Sequence, residues 1–357
     1  MFATESGGLI KIESGERRLS MNSDSDMIYY SLEDRTYRRT NMNDFVEFRY
    51  IDGNRIARLL PESEKQLVAN NFYGNVKEAS LEYPFLKKHI KDYNFLKSRG
   101  NELMRIYGSR IPVVPPDRYF SLYVKISRGC PWNQCTFCEL YRDQRYLPLS
   151  FDSFKEQVEK LSIFFKNSVT SMNGIFLGDA NAISMGSRAL NEYLFFLNSK
   201  LHMPLYAFSD AFTTPLKNID FIKLKNAGVK RIYIGIESGN SAVLKILNKK
   251  INLKSAGEFI KKIKDAGINI GLIVMSGFGK DHVNDTVNFL KSIVYAKGDI
   301  IYISPVKEYN EFREILIENG MEKETGQKEF EYDIIRTRLK ESINIPVVVY
   351  NLDEAIY

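Results

Sequence analysis

The chain reads as an α/β protein built on an open, partial (β/α)6 barrel, with an N-terminal α+β extension and a short C-terminal extension. Three observations predict this. Between residues 119 and 305, short β-branched runs alternate with stretches of helical apolar spacing. That is the signature of parallel strands joined by right-handed crossovers. Six such repeats are too few to close an eight-stranded barrel. Finally, all three cysteines fall in the loop after the first of these runs, the strand end where sites in such sheets gather. The expected divisions are 1–118, 119–305 and 306–357.

Taken in order, residues 1–26 are polar and read as loosely held. The apolar and β-branched runs 45–51 and 55–60 flank Asp52-Gly53-Asn54 and predict a β-hairpin turning at the glycine. Leu67, Val68, Phe72, Leu81, Phe85 and Leu86 give 62–108 a helical reading, and Pro112, Pro115 and Pro116 end it. Strands follow at 121–126, 174–177, 204–208, 231–236, 269–275 and 299–303. Helices between them are marked by Phe154, Val158, Leu161 and Phe165, then by Leu190, Leu194 and Leu197. A third helix ends near Ala227 before Gly228, and a fourth, with Phe259, Ile260 and Ile263, ends at Gly267. A fifth is expected over 286–295. The tail adds a helix over 327–341 and a strand over 346–350.

The composition is that of a globular protein, with 44% hydrophobic and 26% charged residues. No apolar run approaches the roughly 18–20 residues that span a bilayer, so no membrane partner is expected. Met1 to Arg18 contain acids and glycines without an apolar stretch, which is unlike a secretory signal. Clustered thiols then suit a reducing, cytoplasmic setting. The net charge of +6 is mild and its basic residues are scattered, so an RNA partner is allowed but not favoured.

The chemistry concentrates in Cys130-Pro-Trp-Asn-Gln-Cys135-Thr-Phe-Cys138. Three thiolates on one loop can converge on a soft metal centre, and no fourth cysteine exists to complete its coordination. A centre held by three protein ligands keeps an open position, which points to chemistry. Zinc would need a fourth ligand, and His89, His202 and His282 are all remote in sequence.

With these motifs in this order, residues 120–305 resemble the radical S-adenosylmethionine (radical SAM) superfamily, in particular the branch of the oxygen-independent coproporphyrinogen oxidase and the elongator catalytic subunit. The resemblance implies a TIM-like partial barrel and two cofactors, a 4Fe–4S cluster on Cys130, Cys135 and Cys138 and S-adenosylmethionine on the fourth iron. It also implies an external electron donor, and a 5′-deoxyadenosyl radical that takes hydrogen from a small-molecule or peptide substrate. Phe137 matches the aromatic residue that lies against adenine. Leu177-Gly178-Asp179-Ala180 matches the Gly-Gly-Glu segment that receives the methionyl amine, with Leu177 for the first glycine and Asp179 for the glutamate. Ile234-Gly-Ile-Glu237-Ser238-Gly239, followed by Leu244-Lys-Ile-Leu-Asn248-Lys249, resembles the fourth-strand segment, where Glu237 or Ser238 reaches the ribose. Gly271 to Gly279 resembles the fifth-strand adenine segment, with Ile273 and Gly277 on the base. The family's commonest cysteine spacing, C-x3-C-x2-C, is one residue shorter than here, which is expected to alter the loop path more than the cluster. With no further cysteines and no cobalamin-binding segment, an auxiliary cluster or a corrinoid is not expected.

Other residues admit plainer roles. Arg142 and Arg145 belong to a solvated loop over the cluster, or else bind an anionic substrate group. His202 reads as structural, and so does His282 unless it faces the cavity. Gly277 and Gly279 read as points of close backbone approach to a ligand.

Overall fold

The computed structural model describes residues 1–51, 54–213, 216–308, 310–321 and 327–351. It divides into two compact units, one holding Met1–Leu122 and Glu156–Asn173, the other Tyr123–Lys155 and Gly174–Asn351.

The first unit is built on an antiparallel meander of seven strands in chain order: β1 (Phe2–Ser6), β2 (Leu9–Ser14), β3 (Arg17–Asn22), β4 (Met27–Leu32), β5 (Arg35–Arg39), β6 (Phe45–Ile51) and β7 (Asn54–Leu59). The expectation of a loose start is thereby corrected: residues 2–22 are three paired strands. Their apolar residues form a cross-strand row, Ala3–Ile12–Leu19–Tyr30–Tyr37, while Lys11, Glu13 and Arg18 face out. This half-charged alternation hides a strand in a composition reading. Ile51 pairs with Asn54, in the hairpin expected there; the turn residues Asp52 and Gly53 lie outside the described residues.

Against the sheet pack α1 (Glu62–Ala79) and α2 (Tyr93–Tyr107), with a 3-10 turn at Pro84–His89 between them, so the helical reading of 62–108 is broken in its middle. Phe45, Phe72, Val76, Leu86 and Leu96 are fully buried at this interface, each contributing about 1.5–3 kcal/mol by burial. Ser25 Oγ lies 2.8 Å from His89 Nδ1 within the same core.

The second unit begins with β8 (Leu122–Lys125), followed by the short pair β9 (Ser127–Arg128) and β10 (Leu147–Pro148). Then come α3 (Phe151–Phe164), which from Glu156 onward belongs to the first unit, β11 (Ile175–Gly178), α4 (Ser187–Leu201), β12 (Leu205–Ser209), α5 (Phe221–Asn226), β13 (Val229–Glu237), α6 (Ser241–Ile246), α7 (Leu253–Asp265) and β14 (Asn269–Ser276). The unit ends with α8 (Lys280–Lys291), β15 (Ile300–Pro305), α9 (Asn310–Glu318), α10 (Gln327–Lys340) and β16 (Val347–Val349). The sheet order is β16-β15-β14-β13-β12-β11-β8, parallel from β11 to β16. The barrel is open, because its outer strands β8 and β16 do not pair.

The six expected strands are present, and the tail strand joins them as a seventh. The fifth helix runs 280–291 rather than 286–295. It starts after Gly279 and buries Val283, Val287 and Leu290, whereas Val294, which extends the apolar pattern, is exposed. Helices α6 and α9 were not expected, since six and nine residues are too short to show a clear period.

A band of aromatic rings crosses the sheet. Tyr123 stacks on Phe176 (centroids 6.0 Å apart), Phe176 neighbours Tyr233 (5.9 Å), Tyr233 neighbours Tyr302 (6.5 Å), and Tyr302 meets Tyr350 (5.6 Å). Gly271 lacks the Cβ that would collide with the Tyr233 ring.

Candidate radical SAM site

The cysteine loop leaves the end of β8 and is pinched at its base by β9 and β10, which pair Arg128 with Leu147 and Ser127 with Pro148. Gly129, at φ 72°, starts the loop, and any Cβ there would press on the carbonyl oxygens of Gln144 and Arg145 at 2.9–3.0 Å. Asn133 also takes a left-handed conformation, φ 49°, which asparagine tolerates better than most residues. Its N–H points at Cys130 Sγ (3.4 Å) and its side-chain amide donates to Tyr141 O (2.7 Å). The extra residue relative to the commoner spacing thus lies in a locally braced turn.

The loop is fastened to the end of α6. Trp132 Nε1 donates to Asn248 O (2.9 Å), Asn248 Nδ2 donates to Gln134 O (2.8 Å), and Thr136 Oγ1 donates to Ile246 O (2.9 Å). Arg142 folds back on the same loop, donating to Cys138 O and Thr136 O and reaching Glu311 at 2.9 Å. Arg142 and Arg145 are exposed, as expected of a solvated loop, and the Arg142 guanidinium braces that loop. Phe137 packs beside Phe312, with centroids 6.4 Å apart, against Met275, Phe278 and Val306.

Burial pushes all three thiols up, Cys135 to about 12. They stay protonated until a metal replaces the proton, which couples loading to proton release. Among the described residues, no three His, Cys, Asp or Glu side chains close around a single metal ion. Three corners of a cluster need no such common point.

Beside Cys135 lies a buried ion pair. Glu237, at the end of β13 and φ 61°, accepts from Lys249 Nζ at 2.5 Å, and the two side chains are 10% and 9% exposed. Burial pulls the Lys249 ammonium down, but Glu237 and Cys135 outweigh it and hold its pKa above the ordinary value. A Cβ on Gly235 would crowd Lys249 Nζ at 2.8 Å, so glycine makes room for the pair. Lys249 ends the Leu244–Lys249 run of the fourth-strand resemblance, which assigns it no role; it stands twelve residues after Glu237. Asp210, after β12, also acts on Lys249 and on Cys130. Its carboxylate is anchored by Thr213 N (2.7 Å) and Asn181 Nδ2 (2.9 Å).

The remaining expected residues divide. Asp179 is 1% exposed and sits beneath the loop. It accepts from Tyr123 Oη (2.7 Å) and from Gly129 N (3.3 Å), with Lys125 Nζ at 4.0 Å. Burial raises its pKa, and Lys125 and Tyr123 oppose that shift. The carboxylate ties the loop to β8 and β11. Gly178 precedes it with no room for a side chain, because Tyr123 Oη occupies the space. Ser238 Oγ pairs with His282 Nδ1 (2.8 Å) and accepts from Asn240 N (2.9 Å). His282 is itself buried and bonds Met275 O at 2.8 Å through Nε2. His202 takes the left-handed position closing α4, the structural role expected of it.

Ile273 is half-buried on β14, at whose end Ser276 Oγ is fully buried without a hydrogen-bond partner among the described residues. The amides of Gly277 and Gly279 donate to the Glu331 carboxylate (2.7 and 2.9 Å), so these N–H groups are not offered to a ligand. The residues nonetheless fit the implied cofactors: a three-thiol donor set, an adjacent carboxylate–ammonium pair able to meet a zwitterion, and an orphaned hydroxyl at the next strand end.

Comparison with known proteins finds the following similarities. The Radical SAM superfamily description matches residues 124–290. The heme chaperone HemW of Buchnera aphidicola subsp. Schizaphis graminum (strain Sg) is 25% identical over 183 residues, covering 49% of this chain and 46% of that protein. The ribosomal protein uS12 methylthiotransferase RimO of Caldicellulosiruptor saccharolyticus (strain ATCC 43494 / DSM 8903 / Tp8T 6331) is 26% identical over 260 residues, 70% of this chain and 56% of that one. The chain thus spans about half the length of these relatives. Among solved structures, Streptococcus suis SuiB aligns with a TM-score of 0.46 at 12% identity, covering 90% of this chain and 71% of that one. Residues 124–290 thus carry the match to the Radical SAM superfamily, whose members use a 4Fe–4S cluster and S-adenosylmethionine.

Proposed function

We propose that this chain is an enzyme that cleaves S-adenosylmethionine reductively and uses the product radical on a small-molecule or peptide substrate. In this reading Cys130, Cys135 and Cys138 hold the cluster. When bound, the cluster supplies the electron that breaks the sulfonium bond, and the 5′-deoxyadenosyl radical so released removes hydrogen from the substrate. An external donor delivers the electron.

The chain's own residues bind and orient. Glu237 and Lys249, poised as a pair beside Cys135, exchange part of their mutual contact for the amine and carboxylate of the methionyl group. Phe137, Ile273 and Ser276 offer apolar area and one hydroxyl to the adenosyl part. Asp179 acts through the loop it braces, and Gly178 leaves Tyr123 room to reach it. The observation that carries this reading is the placement of three thiols, and no more, against a buried carboxylate–ammonium pair at the strand ends.

The test is anaerobic reconstitution with iron and sulfide, followed by dithionite and S-adenosylmethionine. About three to four irons per chain and formation of 5′-deoxyadenosine are expected. A fully loaded protein that yields no 5′-deoxyadenosine sinks the enzymatic reading in favour of a non-catalytic iron–sulfur protein. Steep salt dependence of RNA binding would favour an RNA substrate instead. Cys135→Ala should lose iron and product together; persistence of either rejects the ligand set.

A further inference from the structure

Residues 277–279 carry β14 into α8, and both glycines there stand in the left-handed region, Gly277 at φ 113° and Gly279 at φ 103°. Their N–H groups converge on one carboxylate: Gly277 donates to Glu331 Oε2 and Gly279 to Glu331 Oε1. Glu331 is 5% exposed and comes from α10. Gly279 is the N-cap of α8 and has no side chain with which to accept from the first turn. Glu331 supplies from another helix both the acceptor and the negative charge that such an end favours. A second tie, Arg338 Nη1 to Asn284 Oδ1 at 2.7 Å, joins the same two helices. Helix α10 lies wholly beyond residues 124–290, the segment that carries the family match.

We propose that Glu331 is a positioning residue for S-adenosylmethionine, acting through the Gly277–Gly279 turn. The inference rests on the reading of the β14 end as part of the cofactor site. A turn with two glycines has the widest conformational choice of any short segment. Two N–H groups without an acceptor, one buried and one half-buried, would favour its rearrangement. The carboxylate removes that choice before the ligand arrives, so the cost of ordering the turn is not charged against binding. The C-terminal extension is then part of the cofactor site's architecture rather than an appendage to it.

The test uses the full chain with Glu331→Gln and Glu331→Asp. Glutamine keeps the size but presents its NH2 to one of the two amides; aspartate keeps the charge at shorter reach. Hydrogen exchange of the metal-free protein reads the turn directly. Affinity for S-adenosylmethionine, measured on the reconstituted protein together with its iron content, reads the consequence. For Glu331→Gln, exchange over 276–281 should rise about tenfold or more while α7 and β12 keep their protection. Affinity should weaken about tenfold at unchanged iron content, with Glu331→Asp falling between.

Unchanged exchange over 276–281, or raised exchange with unaltered affinity, overturns the proposal. So does loss of protection throughout the unit in both variants, since Glu331 would then serve folding alone. Failure of the wild-type protein to bind S-adenosylmethionine would overturn the site reading on which the proposal stands. The exchange data would still decide separately whether Glu331 holds the turn.

Discussion

Replacing Lys249 by methionine tests the electrostatic core of the site. The Lys249 ammonium and the Glu237 carboxylate are 2.5 Å apart and nearly buried. Removing one partner of such a pair strands the other in low dielectric, at about 3–5 kcal/mol. Lys249→Met should therefore destabilise the metal-free protein by about 3 kcal/mol, and Glu237→Gln by about 2 kcal/mol, because a stranded lysine can shed its proton. The double variant removes both charges and should lose only about 2 kcal/mol, leaving an interaction energy of about 3 kcal/mol in the cycle. Urea unfolding under anaerobic, reducing conditions measures this. Fluorescence of Trp132, the chain's only tryptophan, reports the unit concerned; its ring meets Phe212 and Lys250. Losses that add across the double variant, or a Lys249→Met loss under about 1 kcal/mol, would refute the reasoning and mark the pair as solvent-screened.

Gly178→Ala should destabilise the same unit by about 2–4 kcal/mol, since the new methyl displaces Tyr123 Oη and with it the hydrogen bond to Asp179. The same unfolding assay applies, and a loss below about 1 kcal/mol would show that Tyr123 can move freely. In the first unit, burial first, and then Lys88, lowers the His89 pKa below its ordinary value. The unfolded chain therefore takes up the proton more readily, so this contribution is intact above about pH 6.5 and is lost as pH falls through the lower folded value. His89→Asn should flatten the acid side of the stability profile relative to wild type, read by urea unfolding from pH 7.5 to 5. Parallel profiles would show that His89 is not the titrating group.

Much of the barrel was legible because its signals are local. A buried parallel strand such as β13 or β14 is a continuous apolar run, and it reads as one whatever surrounds it. The first unit was less legible: β1 to β3 alternate apolar residues with charges, and their pairing is a property of the sheet rather than of any one segment. Helix α8 was displaced by six residues at its start because Gly279, not the apolar period, begins it. At the site, Asp179, Ser238, Gly277 and His282 show the boundary. Each lies in the neighbourhood the motifs indicated, but its polar atoms are engaged by Tyr123, Asn240, Glu331 and Met275, partners that no spacing announces.

The sequence by itself determined the resemblance to the radical SAM superfamily and the candidate donor set, because three cysteines within nine residues can be brought together by one loop whatever the rest of the chain does. Only the tertiary structure decided which charges stand beside that loop. Lys249 meets Glu237, and Glu331 meets Gly277, across separations of twelve and fifty-four residues, where neither periodicity nor motif spacing carries information. Hydrogen bonds and ion pairs act over a few ångströms of space, and it is the folded backbone that sets which residues lie within that reach.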